Sequence, residues 1–263
     1  MKKYLIRILL TLTGLYIVLL VFLYFFQEKL LFRPEELPKQ AVSFPVKVTE
    51  EVVEGADGTN LHGLLVHRPQ SKGLIFYLHG NAGNAYTWIY DIMYNFPADY
   101  DVFIFDYRGY GKSEGSNTSE AQVMDDVTTT FDAIVKKYGY TNVVVNGYSI
   151  GTGPATQLAA TRPVKALVLQ APYYSLSQLC DEILPILPDF IKRYRFETYK
   201  YITRVKAPVY LFHGTNDQLI AFHHSEQLKK VCPKCHLIPI EGALHNALNA
   251  NPVFLDSLQK VLQ

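Results

Sequence analysis

Gly147-Tyr148-Ser149-Ile150-Gly151 is the segment of this chain best suited to covalent chemistry. It follows the apolar run 143–146 and precedes a helix-spaced stretch over 150–160. A serine between two glycines at a strand-to-helix junction is the nucleophile-elbow pattern. The turn must be sharp for the serine Oγ to project above a sheet, and side chains two residues either side would clash across it. The helix start aims amides at the same point, so the Ile150 N–H can bind an oxyanion. The competing reading is a plain glycine-rich turn, and the flanking strand and helix weigh against it.

A serine hydroxyl is a weak nucleophile. It needs a base, and the base needs an orienting carboxylate. Eight histidines compete for the first role. His245 stands in Glu241-Gly242-Ala243-Leu244-His245-Asn246, a loop between the last expected strand and the last expected helix. His79 belongs to an earlier His-Gly turn, and His213 ends a strand where it would fix a turn. His223 and His224 fall at a helix start, where solvation is expected. His62 and His67 lie on an early strand, and His236 begins the final one. His245 is therefore the expected base. Asp217 follows the strand-like VYLFHG, in a loop whose Asn-Asp pair is also ordinary turn chemistry. The chain order Ser149, Asp217, His245, each at the C-terminal end of a strand, makes it the expected acid.

A second oxyanion donor should come from the loop His79-Gly80-Asn81-Ala82-Gly83-Asn84. Its small residues let backbone amides approach a substrate oxygen. Asn81 is the expected donor and Ala82 its neighbour in reserve. Cys232-Pro233-Lys234-Cys235-His236 matches the haem-attachment pattern C-x-x-C-H. It falls between a helix and the last strand of an otherwise complete pattern of strands and helices, which leaves no room for a haem pocket. A local disulfide or free thiols are expected instead, and zinc would need a second ligand pair.

The elements that must hold these residues alternate between two periods. Strand-like runs occur at 48–53, 61–67, 74–78, 102–105, 143–146, 166–169, 209–212 and 236–240. Between them, 120–138 places Val123, Val127, Phe131, Ile134 and Val135 on one helical face, and 150–160 and 252–262 behave similarly. Several strands are apolar throughout, as suits a mostly parallel sheet covered on both faces. The expectation is an α/β fold with an eight-stranded sheet flanked by helices. Residues 173–204 break the alternation. They are aromatic, basic and interrupted by Pro185 and Pro188. They read either as an irregular crossover or as a small helical cap lined by Ile183, Leu184, Ile186, Leu187, Phe190 and Ile191.

Composition bounds the rest. The 263 residues are 49% hydrophobic with a net charge of +1, which excludes a disordered chain and gives no electrostatic footprint for nucleic acid. Residues 8–26 carry no charge, and as a helix they reach roughly 28 Å, about one hydrocarbon core. No small-x-small cleavage site follows, so an uncleaved transmembrane anchor over 1–27 is expected, not a signal peptide. A linker over 28–46 with Pro34, Pro38 and Pro45 would join it to a soluble domain over 47–263. Lys2, Lys3 and Arg7 against Lys29, Arg33 and Lys39 lean weakly towards a cytoplasmic N-terminus and an extracytoplasmic domain.

Five segments together carry a family resemblance: LHGNAGN (78–84), DYRGYGKSEG (106–115), GYSIG (147–151), HGTNDQLI (213–220) and GALHN (242–246). From about residue 45 to the end the chain resembles the α/β-hydrolase superfamily. More narrowly, it is similar to membrane-anchored ABHD-type serine hydrolases, which include lysophospholipid lipases and protein depalmitoylases. The resemblance implies Ser149 as nucleophile, His245 as base, Asp217 as acid, Asn81 and Ile150 as oxyanion donors, and no metal or cofactor. It makes DYRGYGKSEG a structural loop braced by Arg108. The expected activity is hydrolysis of an ester or thioester of an acyl substrate, a lipid or an acylated protein. A peptidase or amidase on the same triad, and a silent binding protein on this fold, are the alternatives. A dehalogenase or epoxide hydrolase would need a carboxylate where Ser149 stands.

Overall fold

The computed structural model describes residues 1–35, 37 and 44–263. Pro38 and Lys39, two residues of the expected linker, lie outside the described residues. Helix α1 (Lys2–Leu31) contains the whole uncharged run and continues to Leu31. It is long and apolar enough to cross a membrane.

Eight strands form one sheet: β1 (Val48–Glu54), β2 (Asn60–Val66), β3 (Leu74–Leu78), β4 (Asp101–Phe105), β5 (Val143–Tyr148), β6 (Ala166–Gln170), β7 (Val209–Gly214) and β8 (His236–Ile240). Their spatial order is β1-β2-β4-β3-β5-β6-β7-β8. β1 and β2 pair antiparallel, as do β2 and β4, and every later pairing is parallel. β3, β4, β5 and β6 are buried at every residue. Helices cover both faces, which is why these strands read as unbroken apolar runs.

The helices are α2 (Ala85–Asn95), α3 (Glu120–Tyr138), α4 (Thr152–Thr161), α5 (Leu176–Ile183), α6 (Thr198–Ile202), α7 (His223–Val231) and α8 (Pro252–Leu262). Leu74, Phe76 and Leu78 of β3 share a core with Val123, Val127, Phe131 and Ile134 of α3. Ile75 and Tyr77 point the other way, into a core with Ile89 and Ile92 of α2 and Phe254 and Leu258 of α8. That division follows the two-residue period of a strand. Helix α3 starts where the Ser119 hydroxyl accepts from the Gln122 N–H and stops at Gly139, whose φ of 69° few side chains tolerate.

Helix α2 is absent from the sequence expectation. Aromatic and β-branched residues dominate its AYTWIYDIMYN, and these are weak helix formers. Its signal was the capping box: Asn84 accepts from the Thr87 N–H and the Thr87 hydroxyl accepts from the Asn84 N–H. Residues 173–204 fold as α5, a short 3₁₀ turn at Asp189–Ile191 and α6, so the break in alternation is a small helical cap.

Candidate active site

Strand β5 ends at Tyr148, and Ser149 opens a single 3₁₀ turn that runs into α4. Ser149 has φ 52°, the left-handed region that a non-glycine residue occupies only under constraint. Both flanking glycines are required by close approach. A Cβ on Gly147 would lie 2.7 Å from the Gly151 carbonyl oxygen, and one on Gly151 would lie 2.2 Å from the Leu78 carbonyl oxygen of β3. The second clash is with the neighbouring strand and not across the turn itself.

The three expected triad residues meet. His245 Nε2 lies 3.0 Å from Ser149 Oγ, and His245 Nδ1 lies 2.7 Å from Asp217 Oδ2. A carboxylate can only accept, so Nδ1 carries a proton towards Asp217 and neutral Nε2 accepts from the serine hydroxyl. Asp217 Oδ1 accepts from the amides of Leu219 and Ile220, both at 2.9 Å. Burial works against a charge on Asp217. Hydrogen bonds from His213 and His245, the nearby His245 imidazole and the Ile220 amide outweigh it and hold the carboxyl well below the usual carboxylate range.

His213 fixes the loop that carries Asp217, in line with the turn-fixing part expected of it. Its Nε2 donates to the Ile220 carbonyl at 2.7 Å and stands 3.4 Å from Asp217 Oδ2, while its Nδ1 meets the Ser225 hydroxyl at 2.6 Å. The Tyr148 hydroxyl donates to the His245 carbonyl and holds the base's loop from beneath. The Tyr148 contact was not legible in sequence, because it joins segments 97 positions apart.

Asn81 and Ile150 line the same cavity as Ser149. Among the described residues no acceptor engages the Asn81 N–H, whereas the Asn81 carbonyl accepts from the Arg33 N–H at 3.1 Å and the Tyr110 hydroxyl at 2.8 Å. The loop is thus held by its oxygen and leaves its amide available.

The cavity has a volume of about 380 Å³, within the roughly 300–1,000 Å³ of small-molecule sites. Its walls are mostly apolar. Leu176, Leu179, Ile183, Leu184, Leu187 and Ile191 of the cap form one side. Of the expected cap-lining residues, Ile186 and Phe190 instead face outward. Burial raises the Cys180 thiol, which lines the same wall.

Other sequence readings resolve as follows. Arg108 braces its loop through paired hydrogen bonds to Asp126 and to Asp57, tying it to α3 and the β1–β2 turn. Cys232 and Cys235 are joined in a disulfide. The expectation of a solvated His223–His224 pair fails for His224, which is fully buried. Cap helix α5 covers it: the Tyr174 N–H donates to His224 Nδ1 at 3.2 Å, and Nε2 faces Glu182 at 3.1 Å. Glu182, His223 and His224 have metal-ligand spacing. However, the donated Tyr174 N–H leaves the proton of neutral His224 on Nε2, so that nitrogen has no lone pair for a metal.

Comparison with known proteins agrees with this architecture. The sequence model of the alpha/beta hydrolase fold family matches residues 73–201. Alpha/beta hydrolase domain-containing protein 17C of Xenopus tropicalis is 30% identical over 201 residues, 74% of this chain and 63% of that protein. The Homo sapiens protein of the same name is 29% identical over 74% of this chain and 59% of its own length. The chain thus spans about three fifths of the length of these relatives. Among solved structures, an esterase of Pyrococcus furiosus superposes with a TM-score of 0.66 at 18% identity, covering 88% of this chain and 97% of its own. An esterase of Exiguobacterium antarcticum gives 0.63 at 17% identity, covering 81% and 99%. Fold and strand order together show that the chain has the α/β-hydrolase fold, and its sequence is similar to alpha/beta hydrolase domain-containing proteins.

Proposed function

We propose that this protein is a membrane-anchored serine hydrolase of carboxylic esters or thioesters with an acyl chain. The observation that carries the reading is the line from Ser149 Oγ through His245 to Asp217, at 3.0 and 2.7 Å, opening on an apolar cavity. Ser149 Oγ attacks the acyl carbonyl carbon while His245 Nε2 takes its proton. The Asn81 and Ile150 amides hold the resulting oxyanion. The tetrahedral species collapses, the bond to the leaving oxygen or sulfur breaks, and His245 gives that atom its proton. Water then attacks the acyl-enzyme with His245 as base. The acid is released and the Ser149 hydroxyl is restored. Asp217 holds the imidazole in the required tautomer throughout.

Helix α1 anchors the chain in a membrane, with the hydrolase domain on the extracytoplasmic side. A C-terminal reporter active only in the cytoplasm would reverse that orientation. Labelling by a fluorophosphonate probe tests the chemistry: the parent chain should label and Ser149→Ala should not. A folded parent that fails to label would favour a binding protein on this fold. Turnover of p-nitrophenyl esters should favour octanoate over acetate, and the opposite preference would count against an acyl-binding cavity.

A further inference from the structure

Helix α1 does more than extend away from the catalytic domain. Leu23, Gln27, Leu30 and Leu31 form one wall of the cavity that holds Ser149. The helix is fastened there by polar contacts to the cap. The Tyr16 hydroxyl donates to the Ile186 carbonyl at 2.7 Å. The Gln27 side chain donates to the Ile191 carbonyl at 3.1 Å and accepts from the Arg193 N–H at 2.9 Å. Arg193 pairs with Glu28, and its guanidinium lies over the Tyr24 ring. Just beyond the helix, the Arg33 N–H donates to the carbonyl of Asn81, so the exit from α1 is joined directly to the oxyanion loop.

These contacts set a depth. From Tyr16 to Gln27 the helix rises about 16 Å, roughly half of a hydrocarbon core. If residues 8–26 fill that core, the cap beside Tyr16 cannot stay in water. The cap's outer surface suits burial in lipid: Ile186 is 53% exposed and Phe190 79%, and Ile183, which also lines the cavity, is 66% exposed at its rim. The charges beside them are paired, Lys192 with Asp181 and Asp189, and Arg193 with Glu28. An apolar patch continuous with a membrane-crossing helix has the chemistry of a lipid contact.

We propose that the cap sinks into the leaflet next to the catalytic domain, and that the cavity receives its acyl chain sideways from that leaflet through the seam between α1 and the cap. Leu23, Leu30 and Leu31 are then chain-binding residues, and α1 is part of the substrate site as well as an anchor. The substrate class is a lipid whose long acyl chain passes from the leaflet into the seam as its ester reaches Ser149. Arg33 lines the cavity past the end of α1, at the level where a lipid phosphate would lie. This inference rests on the serine-hydrolase reading above.

The test uses the full chain in phosphatidylcholine vesicles, with p-nitrophenyl palmitate and p-nitrophenyl acetate as substrates. Leu23→Trp and Leu30→Trp should each lower the palmitate-to-acetate ratio of kcat/KM at least tenfold. Leu9→Trp, on an exposed stretch of α1 away from the cavity, should leave the ratio within twofold. Fluorophosphonate labelling of each variant shows that its site is assembled. An unchanged ratio in labelled Leu23→Trp and Leu30→Trp would overturn the proposal. Independently, Phe190→Trp should be quenched by lipids brominated along their acyl chains, beyond the baseline that Trp88 gives in the parent. Absence of that extra quenching would overturn the immersion of the cap. Failure of the parent itself to label sinks the serine-hydrolase reading, and the quenching result still reports where the cap sits.

Discussion

Two aspartates in this protein are each flanked by two imidazoles at the end of a strand, and their surroundings differ. Asp217 follows β7 and faces His245 at 2.7 Å and His213 at 3.4 Å. Asp106 follows β4 and faces His79 at 3.4 Å and His62 at 3.5 Å. In both, burial opposes the charge, and the facing imidazoles with a backbone amide outweigh it and lower the carboxyl. The difference lies in what the imidazole's far side meets. His245 reaches a serine hydroxyl at the wall of an open cavity. His79 is fully buried, its Nδ1 spent on the Gly80 carbonyl, and Asp106 accepts the Ala85 N–H at 2.6 Å to anchor the start of α2. A carboxylate beside an imidazole is therefore no sign of catalysis by itself. Catalysis also takes a nucleophile and an approach for substrate, and only the Asp217 cluster has both beside it.

Substitutions should separate the two clusters. The largest effect belongs to Ser149→Ala, which should reduce ester turnover by about 10⁴-fold or more with the melting temperature nearly unchanged. Asp217→Asn should come close, with about a 10⁴-fold loss of kcat, because the amide favours the wrong tautomer of His245. Asp106→Asn should do the reverse. It should cost about 2–3 kcal/mol of stability, seen as a lower melting temperature, with turnover per labelled active site within a few-fold of the parent. If Asp106→Asn abolished turnover in folded protein, the division between the clusters would be wrong.

Gly111→Ala probes the structural cluster from outside. Its φ is 54°, and a Cβ there would lie 2.2 Å from Asp106 Oδ2. Thermal unfolding should show a loss of about 2 kcal/mol, somewhat less than for Asp106→Asn. The smallest effect is at His224. Burial lowers the pKa of this imidazole, against the opposing pull of the Glu182 carboxylate and with a smaller push in the same direction from His223. The unfolded chain then binds the proton more tightly, so stability is full above about pH 6.5 and falls as pH drops towards the folded value. His224→Gln should flatten the rise of melting temperature with pH across that window, and an unaltered slope would show that His224 contributes nothing to it.

The sequence by itself determined what depends on near neighbours. The eight strands, α3 and α8 follow from residue period, and the elbow follows from two glycines two residues either side of Ser149. Chain order also selected His245 and Asp217 from their competitors, because strand ends share one edge of a parallel sheet. Tertiary structure alone decided what depends on distant segments. His224 reads as a solvated helix start until the cap folds over it. The Asp106 cluster joins β2, β3 and β4 through residues 17 to 44 positions apart, and no local pattern marks it. Helix α1 is a uniform apolar run, and only its contacts with residues 164–170 positions later make one side of it a cavity wall. Period and turn chemistry act over a few residues, whereas burial and the pairing of charges are settled when the sheet and cap assemble.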